Sequence, residues 1–293
     1  MKPKILVIVG PTASGKSSLA AELAKKFNGE ILCVDSRTVY REMNIGTVKD
    51  SEPRFGVDLV NPNEEMNGAL FKEYADKIII EILDRGHLPI LVGGTGLWLD
   101  MIVDNLEMPE VEPDPTLRVE LEQRSEEDLF AEFEQLDPIG AEVIDRHNKR
   151  RLVRALEVCK KTGRPFSELR KKGEEKYDAL WLGIDWPKEV LDERINRRVD
   201  EMMTQGLLDE VKQLKEKYGC EIYAMSGIGY QEICRHLNNE ISLAEAVEEI
   251  KNHTRQYAKR QRTWFKRNKK INWIKNPAEA IELVAVIPSL RGS

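Results

Sequence analysis

The chain has 293 residues, a formal net charge of -6, 41% hydrophobic and 33% charged residues. At roughly 150 residues per domain this is about two domains, and globular apolar content excludes wholesale disorder, with no staple needed to hold the fold. Apolar runs such as Ile5 to Val9 fall far short of the ~20 residues of a membrane span and are followed by the wrong residues for a signal peptide, so a cytoplasmic protein with no membrane partner is expected.

In chain order, KILVIVG reads as a buried strand that runs into GPTASGKS and then into SLAAELAKKF, whose Leu19, Leu23 and Phe27 recur every four residues. EILCVDS is a second short strand ending at Asp35. Residues 46–67 hold turn formers and read as loop. Leu70 to Leu83 has helical spacing, with Phe71, Tyr74, Ile78 and Ile82 on one side, and HLPILVGGTG is a further buried strand ending in a glycine turn. Strands alternating with helices predict an α/β fold of the doubly wound, P-loop NTPase-like kind, a parallel sheet covered on both faces.

After Met108 the Pro-rich, acidic PEVEPDPT marks a boundary, and Leu117 to Leu169 shows only helical periodicity. ALWLGIDW reads as strand, Pro187 suits the start of the next helix, INWI is a last strand and Pro277 opens a last helix. The expected organisation is an α/β core at 1–112, an all-helical insertion at 113–176, and the rest of the core at 177–293. Cys33, Cys159, Cys220 and Cys234 show no CxxC spacing, which predicts buried reduced thiols instead of a zinc site or disulfides.

Gly10-Pro11-Thr12-Ala13-Ser14-Gly15-Lys16-Ser17 fits the phosphate-loop pattern G-x-x-x-x-G-K-[ST] and sits between an expected strand and helix. Glycines let the backbone wrap a phosphate, the N–H groups and helix N-terminus attract it, Lys16 adds a point charge and Ser17 a ligand for Mg²⁺. The pattern is specific for a di- or triphosphate, ATP included, and silent on the reaction. A kinase would bring a strand ending in an Asp that holds Mg²⁺, and PILVGGTG does not. Asp185 ends another short strand, and Asp35 ends the second, beside the loop, as a metal ligand, a proton acceptor or a helix cap.

Charge is unevenly spread. Lys251 to Lys270 holds nine Lys or Arg and no Asp or Glu, with Tyr257, Trp264 and Phe265 interleaved. Basic residues neutralise phosphates and aromatic faces stack bases; a solvated helix face with inward aromatics is the alternative. A second basic stretch, Arg146 to Lys176, follows an acidic one from Glu107 to Asp137.

GPTASGKS, DSRTVYREMNIGTVK, LVGGTGLW, RRLVRALEV with TGRPFS, ERINRRVDEMM, GIGYQE and RQYAKRQRTWF occur in that order from about Ile5 to beyond Ile274. Together they resemble the tRNA dimethylallyltransferase family, isopentenyltransferases that modify adenosine 37 beside the anticodon. The resemblance implies that the loop grips the diphosphate of dimethylallyl diphosphate, with Thr12, Lys16, Mg²⁺ and the arginines Arg194 and Arg198 against it, and that Asp35 takes the proton of the adenine amine. It also implies that the tRNA anticodon stem-loop meets Ser36, Arg37, Thr38 and Thr95. Further tRNA contacts are implied at Arg118, Arg150, Arg151 and Arg154 in the insertion and at the turn Ser226, Gly227, Ile228, Gly229, Tyr230 and Gln231. The basic helix is implied to add Lys259, Arg260, Gln261 and Arg262, followed by Thr263, Trp264, Phe265 and Lys266. A monomer is expected. Thr38 stands where the family carries Gln, Gln231 where Lys or Arg is common, and FGVDLVNP where a His-rich stretch is usual. A P-loop small-molecule kinase and a nucleotide-gated RNA-binding module are the competing readings.

Overall fold

Ile5 to Val9 are wholly excluded from solvent, which sets strand β1 (Lys4–Val9) inside a sheet covered on both faces. The computed structural model describes residues 2–49, 54–109, 111–146, 148–169 and 171–285. The chain forms two units, Met1–Val103 with Glu175–Ser293, and Asp104–Glu174. Part of the expected loop, residues 50–53, lies outside the described residues.

In the first unit β1 is followed by α1 (Lys16–Lys26), β2 (Gly29–Val34), α2 (Gly68–Asp84), β3 (Leu88–Gly93) and α3 (Gly96–Val103). The Asn67 side chain caps α2 by accepting from the N–H groups of Ala69 and Leu70.

The second unit holds β4 (Leu106–Glu107), α4 (Pro115–Glu122), α5 (Glu126–Leu136), α6 (Pro138–Ala141), α7 (Lys149–Thr162), α8 (Phe166–Leu169) and β5 (Lys171–Lys172). β4 and β5 pair antiparallel within it, so the unit starts at Asp104, earlier than the Pro-rich boundary. Its core is Leu121, Leu129, Phe133, Leu152, Leu156 and Cys159. Each long helix starts at an N-cap side chain, Asp114, Ser125 or Asn148, and Gly163 ends α7 in the left-handed conformation.

The chain returns to the first unit through β6 (Asp178–Ile184), α9 (Lys188–Thr204), α10 (Leu207–Tyr218), a 3-10 turn at Tyr223–Ser226, α11 (Tyr230–Leu237), α12 (Leu243–Phe265), β7 (Ile271–Ile274) and α13 (Pro277–Ala285). The sheet has five parallel strands in the order β2-β3-β1-β6-β7. Leu6 and Ile8 pack with Leu19 and Leu23 of α1 and Val284 of α13 on one face.

Two sequence expectations are corrected. β3 pairs with β1 (Leu6 opposite Ile90) and lies between it and β2, so Asp35 is not beside the phosphate loop but two strands along the same carboxyl edge. Cys220 and Cys234 form a disulfide, with Cα atoms 6.1 Å apart. The folding of α11 back beside α10 brings them together, and their spacing of 14 residues carries no such signal. Cys33 and Cys159 are free.

Candidate active site

The phosphate loop leaves β1 at Gly10, whose φ of +149° brings it so close to β6 that a Cβ would stand 2.4 Å from the Ile184 carbonyl oxygen. Ala13 and Gly15 adopt positive φ, 62° and 96°, which turns successive N–H groups toward one concave side. The N-cap of α1 is Gly15, which has no side chain to bond the first amides of that helix, so these share the same role. The Ser14 hydroxyl is buried and has no hydrogen-bond partner among the described residues, a donor placed for an anion's oxygen. Lys16 Nζ donates to the Pro11 carbonyl at 2.7 Å.

Thr12 to Ser17 line a cavity of about 300 Å³ at the carboxyl edge of the sheet. The other walls bring Asp35 and Thr38 from the end of β2, Gly93 and Gly94 from β3, Arg198 from α9, and Tyr257 and Gln261 from α12. Asp35 Oδ1 accepts the Arg37 N–H at 2.8 Å, and the Thr95 hydroxyl accepts the Ser36 N–H at 3.1 Å. Val48, Val57 and Val92 supply apolar lining. Arg194 braces the loop: its Nε donates to the Ala13 carbonyl at 2.9 Å and its guanidinium lies over the Trp186 ring.

The charges are coupled. Burial and then the neighbouring Arg198 bring Lys16 down to about 8, with Asp35 pulling the other way. Burial, and then Arg194, lowers Arg198. Burial and Asp35 push the Cys33 thiol up to about 11, so it is protonated at neutral pH. Burial and Asp35 also raise the Tyr257 hydroxyl, which bonds to Thr95. Lys16 and Arg198 thus gather at the phosphate loop, while the Asp35 carboxylate stands elsewhere on the cavity wall and the other lining carboxylate, Asp58, is paired with Lys49. Asp185 is engaged by Arg262 through two contacts at 2.9 Å. Among the described residues no group of three His, Cys, Asp or Glu gathers as a metal site. Ser17 is exposed at the mouth of the cavity.

Several residues expected to contact RNA are engaged within the protein itself. Gln261 is buried; its Oε1 accepts the Thr12 N–H at 2.8 Å and its Nε2 donates to the Gly94 carbonyl at 3.1 Å. Phe265 is core. Trp264 is half-buried and packs so closely that a Cβ on Gly96 would stand 2.2 Å from its ring. At Gly94 and Gly96 the missing side chain leaves the room that Gln261 and Trp264 of α12 occupy on the turn after β3. Lys259, Arg260, Thr263 and Lys266 stay exposed on the opposite side of α12. Tyr230 is buried, as are Gly227 and Gly229; Ile228 and Gln231 are half-buried and Ser226 is exposed. Arg37 is spent on that turn, donating to the Tyr223 carbonyl at 2.9 Å and the Ser226 hydroxyl at 3.2 Å. In the helical unit, Arg118 binds the buried Glu157 through two bonds of 2.9 Å and Arg154 joins it at 2.5 Å. Burial would raise Glu157, but the bonds from Arg118, the Asp114 N–H and Arg154 outweigh it and hold the carboxyl below its usual range. Arg150 and Arg151 are exposed there.

Of the cavity residues, Tyr257 carries a readable signal, since it precedes Gln261 by one helical turn. Thr47, Val48 and Lys49 close the DSRTVYREMNIGTVK stretch that carries the family resemblance, whereas Arg54 and Asp58 come from a segment without periodicity and have no such signal.

Residues 38–268 match the family model described as IPP transferase. The chain is 45% identical over 284 residues to a tRNA dimethylallyltransferase of Acetivibrio thermocellus, covering 92% of this chain and 91% of that one. Among solved structures, a tRNA isopentenylpyrophosphate transferase from Bacillus halodurans superposes with a TM-score of 0.74 at 34% identity, over 99% of this chain and 97% of the other. A eukaryotic dimethylallyltransferase acting on tRNA gives a TM-score of 0.78 at 30% identity, over 97% of this chain and 78% of that one.

Proposed function

This chain belongs to the IPP transferase family, and from that premise we propose that it transfers a dimethylallyl group from dimethylallyl diphosphate to the N6 amine of adenosine 37 in tRNA. The observation that carries the reading is a cavity of about 300 Å³ that joins a phosphate loop to the Asp35 carboxylate. One end of it suits a diphosphate, the other a base whose amine must lose a proton.

In this scheme the loop amides, the Ser14 hydroxyl, Lys16 and Arg198 hold the diphosphate of the donor. Negative charge grows on that group as the allylic C–O bond breaks, and donors already aimed there stabilise it; losing one costs ~3 kcal/mol. Val48, Val57 and Val92 border the allyl chain. The N6 nitrogen forms the new C–N bond to the allyl carbon, and its proton passes to Asp35, a positioned base worth ~10²–10⁴-fold. Thr95 and Tyr257 stand beside Asp35 on the nucleotide side. The exposed Ser17 hydroxyl on the cavity wall is the oxygen donor that would hold a magnesium ion beside the diphosphate. Bound there, Mg²⁺ would offset the charge of the leaving diphosphate.

The adenine reaches Asp35 by leaving its stack, which an unpaired anticodon-loop base does at low cost. Lys259, Arg260 and Lys266 on α12, and Arg150 and Arg151 in the helical unit, supply phosphate contacts. The protein is proposed to act as a monomer in the cytoplasm; no helix among the described residues is long and apolar enough to cross a membrane. The test is incubation with unmodified tRNA, dimethylallyl diphosphate and Mg²⁺, then nucleoside mass analysis. Added dimethylallyl mass on adenosine is expected; its absence, or phosphoryl transfer from ATP, would overturn the reading.

A further inference from the structure

Asn44 to Lys49 have no helix or strand, yet Thr47, Val48 and Lys49 form part of the cavity wall. A carboxylate from α10 organises them. Glu210 Oε2 accepts the N–H groups of Asn44 at 2.9 Å and Ile45 at 2.8 Å. Its Oε1 accepts the N–H of Gly46 at 3.1 Å and the hydroxyl of the buried Tyr230 at 2.8 Å. Three successive amides converging on one anion are a nest, here filled by the protein's own side chain. The Tyr230 ring packs so tightly on the nest that a Cβ on Gly46 would stand 2.4 Å from it. Immediately beyond, Val48 takes a φ of +55°, which a β-branched residue rarely adopts. Such a conformation persists only where the surroundings over-determine it. Here the nest fixes one side. Lys49 fixes the other, donating through Nζ to the Tyr40 carbonyl at 2.5 Å and the Asp58 carboxylate at 2.7 Å.

We infer that Glu210 is a positioning residue for the donor side of the site. With Tyr230 it holds Asn44–Lys49 in the one conformation that lets Val48 and Lys49 complete the cavity, and it touches no substrate itself. The inference rests on the proposed reading that the cavity takes dimethylallyl diphosphate. It gives Tyr230, expected to contact tRNA, a role in the interior instead.

The test compares the full-length wild type with E210Q and Y230F. Glutamine offers one oxygen and one NH2 where both positions must accept, so one pair of donors is left facing a donor. In E210Q the KM for dimethylallyl diphosphate should rise about tenfold, with kcat within about threefold and the KM for tRNA unchanged. Hydrogen exchange at Asn44, Ile45 and Gly46 should quicken. Y230F, which removes one donor and keeps the ring, should raise the donor KM by about threefold, and it keeps the inference testable where E210Q does not fold. A purely structural role would lower the folded fraction and the apparent kcat while leaving the donor KM alone, and that result overturns the inference. So does unchanged exchange at the three amides. An inert wild type sinks the functional reading; an active wild type with an indifferent E210Q sinks this one.

Discussion

Gln261 Oε1 accepts the backbone N–H of Thr12 at 2.8 Å, across 249 residues of sequence. The same side-chain amide donates to the Gly94 carbonyl at 3.1 Å. One buried side chain of α12 therefore joins the phosphate loop to the turn after β3, the two ends of the cavity. Replacing Gln261 with Ala strands the half-buried Thr12 N–H and the buried Gly94 carbonyl and should cost ~1–3 kcal/mol of stability. Denaturant unfolding checks this. tRNA affinity should change little; a large loss of affinity at unchanged stability would make Gln261 an RNA contact after all.

Asp35→Asn keeps size and polarity but cannot accept the proton. Turnover should fall ~10²-fold or more while tRNA binding persists. Single-turnover kinetics alongside filter binding separates the two, and near-normal turnover would remove Asp35 as the base.

The cationic cluster predicts a pH limb. Lys16 is brought to about 8 by burial and by Arg198. Above that pH the free enzyme loses this charge, so kcat/KM for the donor should fall by ~10-fold per pH unit on the alkaline side. Stability responds with the opposite sense. The unfolded ammonium titrates near ~10.4, so between about 8 and that value the unfolded chain holds more protons. This group therefore makes the fold more stable as pH rises through that window. Arg198→Gln should move the kinetic limb upward, because the like charge that depresses Lys16 is gone. A limb unmoved by that change would assign it to another group.

On α12 the exposed cations separate from the paired ones. Lys259 and Arg260 are exposed, whereas Arg262 is paired with Asp185. Replacing Lys259 and Arg260 together should weaken tRNA binding and flatten its log–log salt dependence by about one to two units. Arg262→Ala should instead act on stability with the slope nearly unchanged. Equal slopes in all variants would make this helix structural.

In the helical unit, Arg118 and Arg151 should likewise differ. Arg118→Ala removes two bonds from the fully buried Glu157 and should destabilise by ~1–3 kcal/mol. Arg151→Ala, at an exposed position, should leave the melting temperature unchanged and weaken tRNA binding. If both variants affect only RNA affinity, the Glu157 network is dispensable.

The phosphate loop is legible in the amino-acid order because its chemistry is local. Eight consecutive residues, Gly10 to Ser17, carry the glycines, the lysine and the hydroxyl, and the flanking strand and helix announce themselves by period. The helices of the insertion are legible for the same reason, but the β4–β5 pair and the start of that unit at Asp104 are not. The order of the sheet is not, since periodicity marks strands without saying which pair, and β3 takes the place between β1 and β2. Nor does a basic run show which of its members turn inward: Gln261 and Phe265 are buried and Lys259 is not, because α12 has one face on the glycine turn. The pairing of Cys220 with Cys234 and the grip of Glu210 on Asn44, Ile45 and Gly46 are contacts between separate elements. Local sequence sets what each segment can become, and only the packing of distant segments decides which of its groups meet.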